Sequence, residues 1–221
     1  MSDPRSSDPE QPPSTLVWDW PLRIWHWVFA ISVSASLVTG LMGDIALMDW
    51  HMRLGYLALG LLLFRIGWGI WGGRYARFGS FRTSPRRFVA HFRGEGRQAP
   101  HTAPGVVLVV LLLAAVAAQA VAGLYTTDEI FTEGPLVRGA DDDTVNLMTA
   151  LHHRLFWVVL GLISVHLTAH VVYALRRDPT PLAMFTGRKR LHAVPTRNLL
   201  VRGLVTAAAA AAAVWWVLIS I

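Results

Sequence analysis

Apolar residues along this chain gather into five runs, at 24–43, 51–72, 105–125, 150–175 and 199–220. Each is long enough to cross roughly 30 Å of hydrocarbon as a helix. The polar stretches between them alternate in charge. Between the second and third runs Arg74, Arg77, Arg82, Arg86, Arg87, Arg93 and Arg97 stand against Glu95; between the fourth and fifth, Arg176, Arg177, Arg188, Lys189, Arg190 and Arg197 stand against Asp178. The other two connections are acidic, with Asp44 and Asp49 in one, and Asp128, Glu129, Glu133, Asp141, Asp142 and Asp143 against Arg138 in the other. Basic loops stay on the cytoplasmic side. The pattern therefore predicts a multi-pass membrane protein, N-terminus cytoplasmic and C-terminus on the outer side.

The fold expected is all-α: an integral membrane helical bundle with a four-helix core over residues 16–190, then a linker and a C-terminal transmembrane helix over 191–221. Residues 1–15, MSDPRSSDPEQPPST, are rich in Pro, Ser and Asp and carry no cleavable signal pattern; a disordered cytoplasmic tail is expected there. Ser84-Pro85 opens the stretch RRFVAHFR, and a serine cap followed by proline suits a short helix on the membrane surface. The fifth run contains AAAAAAA and no histidine, which suits packing or partner contact.

Composition narrows the chemistry. At 53% hydrophobic and 15% charged, the chain is too apolar for a soluble domain. Many of its ten tryptophans, among them Trp18, Trp20, Trp25, Trp27, Trp50 and Trp71, stand where apolar and polar stretches meet, as in an interfacial aromatic belt. The net charge of +6 is lodged in the loops, so topology explains it and no nucleic acid is called for. With no cysteine, iron–sulfur clusters, covalently attached c-type haem and disulfide relays are excluded.

Histidine inside a bilayer is costly and usually functional. His152 and His166 are fourteen residues apart on the fourth run. Fourteen steps of about 100° end some 40° short of four full turns, so the two share a helix face about 21 Å apart along the axis. His26 lies near the cytoplasmic end of the first run, level with His166; His51 opens the second on the outer side, level with His152. Two layers of paired imidazoles are the arrangement expected of two non-covalent, bis-histidine haem b groups. His153 is about 140° around the helix from His166 and competes with His152; His170, one turn beyond His166, competes with it or serves a propionate or quinone. Arg65, fourteen residues after His51, faces the interior at the inner layer, where a haem propionate suits a guanidinium; snorkelling to the headgroups is the alternative. Arg23 and Arg154 are weaker candidates, and His91 fits an interfacial side chain. Gly40, Gly43, Gly55, Gly60 and Gly161 would let helices, or a flat macrocycle, come close.

The opening VWDWPLRIWHW, the second-run series ending FRIGWGIWG followed by RYARF, the stretch GLYTTDEIFTEGPL and the His-x13-His helix closing on MFTGRKR together resemble the bacterial cytochrome b-561 family, which includes the cytochrome b subunits of nickel–iron hydrogenases. The resemblance covers about residues 16–190. It implies four helices holding two b-type haems, one between His51 and His152 and one between His26 and His166. The fourth run opens HHR, where that family usually has one histidine followed by an acid, so the choice between His152 and His153 rests on helix geometry.

Iron held by two imidazoles has no open position and suits one-electron transfer. The function expected is electron transfer across the membrane between the quinone pool and a periplasmic redox partner, a c-type cytochrome or a hydrogenase or dehydrogenase subunit. Asp141, Asp142 and Asp143 fit first a solvated loop, with a docking patch for a basic partner as the alternative. A self-contained quinol oxidase passing electrons to oxygen or a metal ion is the alternative. A transporter would need broken helices, and the first, second and fourth runs contain no proline to break them.

Overall fold

Each of the five apolar runs is a helix in the computed structural model, which describes residues 12–94 and 99–219. The spanning helices are α1 (Trp20–Met42), α2 (Ile45–Trp71), α4 (Ala103–Gly123), α5 (Asp142–Leu175) and α7 (Leu200–Ile219). Two short helices, α3 (Pro85–Phe92) and α6 (Thr180–Thr186), and two strands, β1 (Ser14–Leu16) and β2 (Arg188–Arg190), lie at the end of the bundle that carries the basic loops.

Most helices begin earlier than their apolar runs because aspartates cap them. The Asp19 side chain accepts from the Leu22 amide at 2.9 Å and starts α1. Asp44 accepts from Ala46 at 2.9 Å and starts α2, directly after Gly43 in the left-handed conformation at φ 61°. Asp141 accepts from the Thr144 amide at 2.8 Å and starts α5, with Asp142 and Asp143 in its first turn against the positive end of the helix dipole. The acidic run, which fits a solvated loop or a docking patch in the sequence, is thus first a helix start. Ser84 caps α3 as its sequence suggests, accepting from Arg87 at 3.3 Å, and Phe88, Val89 and Phe92 project from it.

The bundle is two antiparallel hairpins, α1 with α2 and α4 with α5, which meet along α2 and α4; α7 packs on α2. Trp25 Nε1 donates to Leu61 O at 2.7 Å and Ser32 Oγ to Leu54 O at 2.9 Å, tying α1 to α2. Gly67 lets α7 approach so closely that a Cβ there would stand 2.8 Å from Thr206 Cγ2. One core cluster, Val33, Ala58, Leu62, Val116 and Val159, fills the middle of the bundle; a larger one built on Val17, Trp18, Trp25, Phe64 and Trp68 fills the basic end.

That end is closed by a clasp the hydrophobic pattern does not announce. Strand β1 pairs antiparallel with β2, Ser14 opposite Arg190 and Thr15 opposite Lys189. Ser14 and Thr15 are therefore ordered by pairing, where a disordered tail was expected; residues 1–11 of that tail, with Glu95 and Arg97, lie outside the described residues. Thr15 Oγ1 donates to Leu191 O at 2.9 Å, and Asn198 accepts from the Trp20 amide at 3.0 Å. Beneath the clasp His101 packs between Trp18 and Phe81, ring centres 4.8 and 4.9 Å away, and its Nε2 donates to Tyr75 O at 2.7 Å.

Burial pushes the His101 pKa down to about 4, with the cations of Lys189 and Arg65 adding to the effect. Above its ordinary value of 6.5 the imidazole is neutral in both the closed and opened clasp, and the stability it contributes is fully present. As pH falls from 6.5 towards 4 the opened chain binds a proton that the closed one refuses, and stability on the order of 3 kcal/mol is lost. Asp19, raised above 3.8 by burial, acts with the opposite sign, so the test changes His101 alone. Amide exchange in residues 15–18 is expected to quicken over that pH window in the native chain and to lose most of the dependence in His101→Gln; equal dependence in both would discount His101.

Candidate functional site

Helix α5 carries the two histidines that organise the interior, and each meets a partner from the other hairpin. The His152 ring is 6.0 Å from that of His51 on α2, and the His166 ring is 6.5 Å from that of His26 on α1. The four thus form one pair towards the acidic loops and one towards the basic end.

The acidic-end pair has a repeated local design. His51 Nδ1 lies 2.9 Å from Ser36 O, and His152 Nδ1 lies 3.0 Å from Gln119 O. A carbonyl only accepts, so Nδ1 is the protonated nitrogen in both rings and each Nε2 keeps its lone pair. One helical turn after each acceptor stands a glycine. A Cβ on Gly40 would be 2.9 Å from His51 Cε1, and one on Gly123 would be 2.9 Å from His152 Cε1. Each imidazole therefore rests on a notch in its hairpin neighbour, α1 for His51 and α4 for His152. The Gln119 amide also approaches His152 Nε2 at 3.3 Å, and its Oε1 is buried without a partner.

Both rings border a cavity of about 470 Å³, walled mainly by apolar and small residues including Val33, Ala58, Val116 and Val159. Gly55 lines it with open space where a side chain would be. Thr127, Asp128 and Thr132 of the acidic connection also line it. His153 borders the same cavity but is exposed, its ring 6.3 Å from His152.

The basic-end pair is set differently. His26 Nδ1 is buried with no hydrogen-bond partner among the described residues. His170 packs on His166 with ring centres 4.4 Å apart and bonds its own helix through Nδ1 and His166 O at 2.9 Å. Arg65 is 3% exposed and enclosed, with Cζ 4.7 Å above the Phe78 ring and 5.6 Å from those of Phe81 and Trp25, so it does not snorkel to the surface; its Nη1 has no hydrogen-bond partner among the described residues. Arg23 Nε donates to Met184 O at 3.2 Å, and Arg154 is exposed. His91 Nε2 meets the Tyr173 hydroxyl at 3.2 Å, linking α3 to α5.

Sequence reasoning gave Gly40 to the close approach of helices or of a flat macrocycle, and passed over Ser36, Gln119 and Gly123. The signal was there: Ser-x3-Gly on the first run and Gln-x3-Gly on the third, each level with a histidine of the neighbouring run.

A membrane bundle whose hairpins present imidazoles in facing pairs has the architecture of a membrane cytochrome. The family model for prokaryotic cytochrome b561 matches residues 17–187, and the chain belongs to that family, whose members are haem b proteins of electron transport. No curated protein and no solved structure matches the chain. The histidine pairs fit the group the family binds: an iron about 2 Å from each of two imidazole nitrogens brings the ring centres about 6 Å apart. The described residues contain no cluster of three or more His, Cys, Asp or Glu suited to a metal ion.

Gly40→Ala and Gly123→Ala each push a methyl into a seated imidazole. If this pair holds haem, each is expected to weaken its binding there about 10- to 100-fold, the scale of losing an outer-shell support. Titration of haem into apoprotein checks this; affinity unchanged in both variants would show that the seats do not matter.

Proposed function

We propose that this cytochrome holds two haem b groups, one between His51 and His152 and one between His26 and His166, and conducts single electrons across the membrane between the quinone pool and a redox partner on the acidic side. The observation that carries this is the pair of ring separations, 6.0 and 6.5 Å, at two depths on one unbroken helix. Haem b between two imidazoles supplies one-electron chemistry and leaves no coordination position for oxygen.

The chain's own residues do the rest. His51 and His152 are held in the tautomer that leaves Nε2 free to ligate. The apolar middle layer separates the two sites and excludes water. Arg65, buried with an unused Nη1, offers a propionate a charge-assisted bond. By the positive-inside rule the basic end is cytoplasmic and the acidic end periplasmic. Glu129, Glu133, Asp142 and Asp143, all exposed, suit a basic partner such as a c-type cytochrome, or a basic face of a hydrogenase or dehydrogenase subunit. A lipid-soluble quinone reaches such helices from within the bilayer.

Pyridine haemochrome analysis is expected to give two haem b per chain. His152→Ala should remove one and His153→Ala neither; the reverse would mean that His153 is the ligand. In oriented liposomes, with an impermeant reductant on one side and an impermeant acceptor on the other, His26→Ala and His51→Ala should each abolish transfer across the membrane while leaving the remaining haem reducible from its own side. Transfer persisting in both would refute conduction through the pairs.

A further inference from the structure

The two histidine pairs differ in their surroundings, and their hydrogen bonding and the buried charge at the basic end would act on iron in the same direction. We propose that the backbone carbonyls of Ser36 and Gln119, together with Asp128 at one end and Arg65 at the other, make the acidic-end pair the lower-potential of the two centres. This rests on the two-haem assignment above.

The first observation is hydrogen bonding. An imidazole that donates its Nδ1–H to a carbonyl is a more basic ligand, and a more basic ligand favours the ferric over the ferrous state. At the acidic end both rings have that acceptor, at 2.9 and 3.0 Å. At the basic end the buried Nδ1 of His26 has none among the described residues.

The second is fixed charge. Asp128 lines the cavity shared by His51 and His152. Its Oδ1 accepts from the amides of Ile130, Phe131 and Thr132 at 2.8 to 3.0 Å, which hold the carboxylate ionised with a pKa of about 2. A fixed anion beside a centre opposes the arrival of an electron. Arg65 stands fourteen residues from His51 along α2, hence about 21 Å towards the basic end. A buried guanidinium there favours the arrival of an electron; Asp19, electrostatically coupled to it, opposes this, but burial pushes the Asp19 pKa up, towards the neutral form. Arg154 is exposed like Asp128, so water screens both to a similar degree, and Arg53 is paired with Asp49 at 2.9 Å; the hydrogen bonds and the buried Arg65 therefore carry most of the difference.

The consequence is directional. An electron shared by the two centres resides mainly at the basic-end pair, and transfer runs downhill from the acidic end to the basic end. Each centre takes one electron, and neither set of residues needs to exchange a proton for it.

Redox titration of the purified two-haem protein, followed by visible absorbance with dithionite and ferricyanide, tests this. Two waves are expected. His26→Ala, which keeps the acidic-end site, should retain only the lower wave, and His51→Ala only the higher. Asp128→Asn preserves the oxygen that accepts the loop amides, and it should raise the lower wave alone; Arg65→Gln should lower the higher wave alone. The opposite assignment of the waves, or an Asp128→Asn shift confined to the higher wave, overturns the proposal. So do waves that neither charge variant moves, a result that needs no histidine variant to fold. The haem count separates the two levels: one haem per native chain overturns the two-haem assignment itself, while two haems with reversed waves overturn only the inference on potential.

Discussion

A histidine ring inside a membrane has two nitrogens to satisfy and no water with which to do it. The acidic-end architecture depends on how this is met. Each ring gives its Nδ1 proton to a carbonyl that also belongs to a helix ladder, Ser36 O or Gln119 O. Such a carbonyl is normally covered by the side chain one turn later. Glycine at 40 and 123 uncovers it. Because His51 seats on α1 and His152 on α4, each seat is made within one hairpin, and only the facing of the two rings requires the hairpins to meet. The hairpin register is fixed close by, where Gly43 turns left-handed and Asp44 starts the next helix.

The basic end meets the same scarcity of water by another route. Asp19 is fully buried, yet it caps α1 and accepts from Trp68 Nε1 at 3.1 Å, so one carboxylate joins the first two helices. Arg65 is surrounded by aromatic faces, which accept a cation without a formal partner. The clasp of β1 and β2 then closes over these groups. Charges that would be expensive in hydrocarbon are held at the margin of the bilayer, among rings and beneath a small sheet.

The helices were legible because an apolar run of about twenty residues has few alternatives, and the His152–His166 spacing was legible because helical periodicity turns it into one face at two depths. Helix starts were not, since capping aspartates extend a helix beyond its apolar part; Asp141 moves the start of α5 eight residues ahead of the run at 150. The seats escaped because their working atoms are backbone oxygens, which Ser36 and Gln119 share with every residue. The clasp escaped because a three-residue strand shows no period. His153 was set aside by helix phase, and its exposed position agrees, but it does reach the cavity rim, which an ideal wheel does not convey.

The placement of the pairs along α5 bears on what can pass between them. The helix has 34 residues, about 51 Å, so its ends extend beyond the hydrocarbon. His152 is ten residues from the first residue of α5 and His166 nine from the last, which sets the two pairs at nearly equal distances from the centre of the helix. Between them lies Val159, 1% exposed, with Val33, Ala58, Leu62 and Val116 packed around it. These five side chains are all apolar, and a proton or hydrated ion meets among them the full cost of entering an apolar medium. An electron passing between redox centres needs neither a proton carrier nor a hydration shell. With haems at the pairs as proposed, an apolar layer between them would discriminate by charge carrier, passing electrons while holding back protons and ions.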